Sequence, residues 1–182
     1  MNRRRFFVSA GGGIAATALG ARSAFAATDD DFAFANFGLP AEWLLQEIHS
    51  RTIAAKLGTK AQLKASGRAR AFAAQHAAAL ASLLQGAAQT VPAREDFDFQ
   101  LPKEAFTSRD SADELARTVI RVVRGAYQGA AAASSEESYR TLFASLASGH
   151  STELVALGGA PEPFPVGLDL ETASTAIEEY LG

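Results

Sequence analysis

Cysteine is absent from this chain of 182 residues, so no disulfide framework holds it together and its stability has to come from core packing. Polar aromatics are scarce as well, with one tryptophan and three tyrosines, a composition that weighs against a β-sandwich. Glycine and proline number 15 and six, which excludes collagenous and disordered classes. No nucleophile elbow is present, and no glycine-rich phosphate loop follows a strand pattern. What the chain does have is alanine in excess, within 48% hydrophobic and 20% charged residues. That is the material of close-packed helices in one domain.

Residues 1–26 contain no acidic residue and read as an export leader. Asn2-Arg3-Arg4-Arg5-Phe6-Phe7-Val8 looks like a twin-arginine motif, a weakly apolar stretch runs from Val8 to Ala21, and Ala24-Phe25-Ala26 offers a small-x-small cleavage site. The stretch is short against the roughly 20 strongly apolar residues of a membrane span. The expected mature domain is therefore 27–182, periplasmic, with no stable membrane span once the leader is cleaved; retention as an uncleaved anchor is the alternative. Four of the 17 basic residues leave with the leader, so 13 basic face 20 acidic residues and the formal charge becomes −7. A nucleic-acid partner is not expected of such a chain, because phosphate binding needs clustered Lys and Arg.

Five helices are predicted. The first enters at Asp29-Asp30-Asp31, where negative charge suits a helix start, is interrupted or kinked at Gly38 and Pro40, and continues to about Lys56, with a turn at Gly58-Thr59. The second runs from about Thr59 to Ala88 on a stripe of Leu63, Phe72, Leu80, Leu83 and Leu84. A long segment from Gln89 to Asp110 follows, of the kind that crosses a bundle and lets the second and third helices run parallel. Within it, Phe97-Asp98-Phe99 is expected to plug the space between helices. Capping boxes are predicted at Ser111 to Glu114 and at Ser134 to Glu137. The fourth helix carries the stripe Leu142, Leu146, His150, Leu154, Leu157 and stops at Gly158-Gly159. A proline-rich connection over 161–165 leads to a last helix from Leu170 to Leu181, capped by Asp169. Arg117, Arg121 and Arg124 share a face of helix three and read as its solvated back, or as a docking face for an acidic partner.

Two of the three histidines stand on apolar stripes. His76 lies four residues from both Phe72 and Leu80, and His150 four from both Leu146 and Leu154. Buried imidazoles need partners, since an unpaired polar group costs about 1–3 kcal/mol. Glu42 on helix one is the candidate, and His49 shares its face.

The segments Phe34 to Leu44, Gln75 to Leu80, Asp96 to Phe99, Gly125 to Ala130 and Gly149 to Leu154 occur in the order and spacing of exported bacterial ferritin-like domains, which the chain resembles. The resemblance implies an all-α, ferritin-like four-helix bundle with a long crossover between helices 2 and 3 and a short C-terminal helix. A working di-iron site of this fold takes a Glu from each of two helices and a Glu-x-x-His pair from each of the other two. Glu42, His76 and His150 match that pattern. Ala73 and Ala147 stand where the paired glutamates would be, and Ile120 where the helix-three carboxylate would fall. With one carboxylate left, a di-iron oxidase or ferroxidase is not expected. The reading is a degenerate site in a non-catalytic binding or accessory protein without a cofactor, its histidines hydrogen-bonded to Glu42, Tyr127 or water. An unidentified envelope protein, or a second copy of the chain, is its expected partner. The alternative is a redox protein with a single iron or zinc ion on Glu42, His76 and His150. A small apolar ligand beside Ala73 and Ala147 is a third possibility.

Overall fold

The computed structural model describes residues 29–160 and 166–182; the leader and the proline-rich connection at 161–165 lie outside the described residues. Five α-helices and no strand are found among the described residues: α1 Asp29–Ala54, α2 Lys60–Gly86, α3 Arg109–Ala133, α4 Glu137–Ala156 and α5 Leu170–Leu181. The segment between α2 and α3 holds two short 3-10 turns, Arg94–Asp96 and Lys103–Phe106. No described helix is long and apolar enough to cross a membrane.

The contacts at the helix ends give the topology. Phe32 and Phe34 near the start of α1 meet Tyr139 and Phe143 near the start of α4. At the opposite end, Arg109 opens α3 and hydrogen-bonds Ser66 in the early turns of α2 and the Leu57 carbonyl just past α1. There too Arg117 of α3 donates to the Leu157 carbonyl just past α4. So α1 and α4 run one way, α2 and α3 the other, and the chain from Ala87 to Ser108 crosses the length of the bundle, as the long connection requires.

The core is filled by large apolar side chains from each helix, among them Phe37, Leu44, Leu80, Ile120, Phe143 and Ile177, all fully enclosed. Burial of each such side chain stabilises by about 1.5–3 kcal/mol relative to exposure. The crossover is tied down by aromatic stacking, with Phe97 against Trp43 and Phe99, and by Arg94, which pairs with Glu47 and covers the Phe99 ring. Phe99 is buried, so the expected plugging role holds. Beyond the connection, residues 166–168 lie against α3 where Gly125 and Gly129 present bare backbone, and the Leu168 N–H donates to the Gly125 carbonyl at 2.8 Å.

Several local expectations change. Gly38 and Pro40 do not interrupt α1, which is helical through both; the neighbouring Phe37, Leu39, Ala41 and Leu44 are enclosed in the core, whose packing offsets the hydrogen bond that Pro40 cannot donate. The cap of α3 is Ser108, three residues earlier than expected: its hydroxyl accepts the Ser111 N–H, and the Ser111 hydroxyl takes the Ser108 N–H. Glu114 pairs with Arg117 and Arg121 instead. The cap of α4 is Glu136 without a side-chain bond, since Ser134 instead closes α3 and its hydroxyl donates to the Glu136 carbonyl. Phe72 is 56% exposed and leaves the buried stripe of α2 to Ala73, Ala77, Leu80 and Leu84. Arg124 is buried, so the three arginines of α3 do not form a solvated stripe. The start of α1 at Asp29 and the Asp169 cap of α5 are as expected.

Candidate metal centre

Glu42, His76 and His150 come from α1, α2 and α4, and ligand atoms of all three lie within 4.8 Å of one another. Glu42 and His150 are fully enclosed, while His76 is 16% exposed. The Glu42 Oε1 atom is the hub: Tyr127 of α3 donates to it at 2.8 Å. His150 Nε2 also lies at 2.8 Å and His76 Nδ1 at 3.3 Å. Four helices thus meet on one carboxylate oxygen. The other oxygen, Oε2, is buried without a hydrogen-bond partner.

Two glycines make this convergence possible. A Cβ on Gly38 would stand 2.7 Å from the Tyr127 hydroxyl, so the bare backbone one turn before Glu42 is what admits the tyrosine. Gly149, next to His150, leaves room for the His76 ring, whose Cε1 would lie 3.1 Å from an added Cβ. The two imidazoles meet edge to face at 5.0 Å, and Tyr127 stacks near His150 at 5.8 Å. Of the partners expected for the histidines, Glu42 is the one that both approach; Tyr127 bonds to the carboxylate and only stacks on His150.

The electrostatics follow from burial and pairing. Burial opposes the charge on His150, but Glu42 and Glu153 outweigh it and push its pKa up to about 10. Burial would likewise raise Glu42, yet His150 and then His76 hold it below its ordinary value. Burial, reinforced by Glu42, moves Tyr127 well above its usual range, so it stays a donor. At neutral pH the core therefore holds a carboxylate, an imidazolium and a phenol, already neutralised between the first two.

The site continues beyond the residues singled out from the sequence. Glu153 of α4 lies 3.4 Å from His150 Nδ1 and accepts a hydrogen bond from His49 Nε2 at 2.7 Å. Burial would raise Glu153, but His150 and His49 bring it down to about 2. His49 was placed on the face of Glu42, but Glu153 was missed; its signal was the i, i+3 spacing from His150, which puts both on one helix face. Beside this pair opens a cleft of about 260 Å³, lined by His49, Ser66, Arg109, Asp113 and Glu153. Ala73, Ala147 and Ile120 are all buried.

An antiparallel bundle with one long crossover and a carboxylate and two histidines meeting in its core defines the class of the ferritin-like proteins. The family model of the ferritin-like domain matches residues 22–156, and the chain belongs to that family. The match ends with α4, so α5 lies beyond it. No curated protein and no solved structure matches the chain.

Proposed function

We propose that the chain is an exported, periplasmic ferritin-like bundle whose core takes a single transition-metal ion, iron or zinc, on Glu42, His76 and His150. The observation that carries this reading is the convergence of these three side chains within 4.8 Å, with Glu42 Oε2 buried and unbonded beside them. Two nitrogen donors and one oxygen donor suit iron or zinc and leave coordination positions open. When bound, such an ion supplies Lewis-acid or one-electron chemistry. The chain's own residues set its surroundings: Tyr127 pins Glu42, and His150 must give up its proton for its nitrogen to bind, so a divalent ion would leave the site one positive charge higher.

The case for one ion and against two comes from Ala73, Ala147 and Ile120, which stand where the family pattern has carboxylates. One carboxylate offers too few donors for two ferrous ions and offsets only one of their four charges. Export and periplasmic location rest on the arginine run at Arg3 to Arg5 and on Ala24-Phe25-Ala26.

A second reading is favoured by the hydrogen bonds themselves. Glu42 Oε1 already accepts from Tyr127 and His150, so the polar core closes without an ion. The protein then acts as a non-catalytic accessory subunit through its surface, on an envelope partner or on a second copy. Metal analysis after native export separates the two. The single-ion reading expects about one equivalent of iron or zinc per chain, lost in His76→Ala and His150→Ala. Protein without metal, or with two equivalents, sinks it.

A further inference from the structure

Outside the three proposed ligands, buried His49 and half-buried Glu153 bond to each other, and Glu153 in turn touches His150. His150 stands between two carboxylates: Glu42 lies 2.8 Å from Nε2, and Glu153 lies 3.4 Å from Nδ1, an ion-pair contact to a buried nitrogen that makes no hydrogen bond of good geometry. Glu153 is itself held, since His49 Nε2 donates to its other oxygen at 2.7 Å. His49 is 2% exposed and Glu153 12%, so neither is a loose surface group.

An imidazole binds an ion through one nitrogen, and the hydrogen bond made by the other decides which one is free. In the core Nε2 faces Glu42 at 2.8 Å. The matching contact for Nδ1 comes from α4, one turn further on, where Glu153 is the only carboxylate placed to take its proton among the described contacts. We propose that Glu153, anchored by His49, is a positioning residue that holds the His150 ring with Nε2 toward Glu42 and the Nδ1 proton turned away from the core. His49 matters because Glu153 borders the cleft; without its anchor the carboxylate can swing into that space and release the ring. The purpose of the arrangement rests on the single-ion reading, but the arrangement itself does not.

The test uses the full mature chain and four variants: Glu153→Met, which removes the acceptor, Glu153→Gln, which keeps a neutral one, His49→Gln, and His150→Ala as the blank. Zinc affinity is read by chelator competition and the site geometry by the visible spectrum of bound Co²⁺. Loss of such an outer partner costs about 10–100-fold in metal affinity; that loss is expected for Glu153→Met, with part of it recovered in Glu153→Gln and a smaller loss in His49→Gln. In the metal-free protein, the ¹H–¹⁵N resonance of His150 Nδ1, assigned by its absence in His150→Ala, is expected to move or vanish in Glu153→Met. Unchanged affinity and an unchanged Co²⁺ spectrum in Glu153→Met overturn the proposal. A wild type that takes up no ion overturns the single-ion reading alone, and the Nδ1 resonance then decides: if it is unaltered in Glu153→Met, positioning by Glu153 is wrong as well. Where Glu153→Met does not fold, His49→Gln carries the test, and a wild-type Co²⁺ spectrum or Nδ1 resonance in that variant counts against the proposal.

Discussion

Tyr127 reaches Glu42 through the space that Gly38 leaves on α1, where an added Cβ would stand 2.7 Å from the tyrosine hydroxyl. A single methyl group therefore competes with the hydrogen bond at the centre of the site. Gly38→Ala is expected to destabilise the fold by about 1–3 kcal/mol, the usual cost of overpacking, and to resemble Tyr127→Phe in its effect on the core. Urea unfolding of both variants checks this; a wild-type midpoint for Gly38→Ala would mean that the ring has room to move.

Stability should depend on pH through His150 and Glu153, which burial and pairing shift in opposite directions. His150 is raised from 6.5 to about 10 in the folded state, so its contribution is complete below 6.5 and disappears as pH rises through 10. Glu153 is lowered from 4.5 to about 2, so its contribution is complete above 4.5 and is lost as pH falls through 2. The two together place the stability plateau between about 4.5 and 6.5, with a decline on either side. Denaturant midpoints across this range measure it. His150→Gln is expected to flatten the alkaline limb, and an alkaline limb that survives unchanged would assign it to another group.

The register of α2 can be tested by two truncations eight residues apart. Phe72 is 56% exposed and Leu80 fully buried. Phe72→Ala should cost no more than about 0.5 kcal/mol, as surface substitutions do, whereas Leu80→Ala should cost about 2–5 kcal/mol. Equal losses would return Phe72 to the core stripe that its helical spacing suggests.

Gly129 faces the Leu168 carbonyl so closely that no Cβ can be placed between them. Gly129→Ala should push residues 166–168 off α3 and break the bond from the Leu168 N–H to the Gly125 carbonyl. Hydrogen exchange at the Leu168 amide is the direct readout, with faster exchange expected; protection equal to wild type would show that the backbone can yield without losing this contact.

The helices and the crossover were legible, because they follow from spacing along one helix or from the length of a connection, and the meeting of Glu42, His76 and His150 was legible through the resemblance to ferritin-like domains. What escaped were choices between equivalent neighbours. Glu153 lies three residues after His150, where the family pattern looks three residues before it, and both positions share the helix face. Ser108 and Ser111 both fit a helix cap, and only the first turn of the real helix shows that Ser108 is the one, its hydroxyl accepting the Ser111 N–H. Phe72 and Ala73 sit side by side on α2; the decision between them belongs to α1, which packs against one edge of that face. Gly38 was read for its effect on its own helix, while its use is to a residue on another one.

The opposed pairs α1, α4 and α2, α3 have an electrical consequence. Each end of the bundle gathers two helix N-termini and two C-termini, so the macrodipoles of the four long helices oppose one another in pairs, and their residual fields fade within the terminal turns. Glu42 and His150 lie mid-bundle, beyond that reach. Whatever proton or ion settles among them is governed by the neighbouring side chains, and the backbone scaffold is, for that purpose, electrically silent.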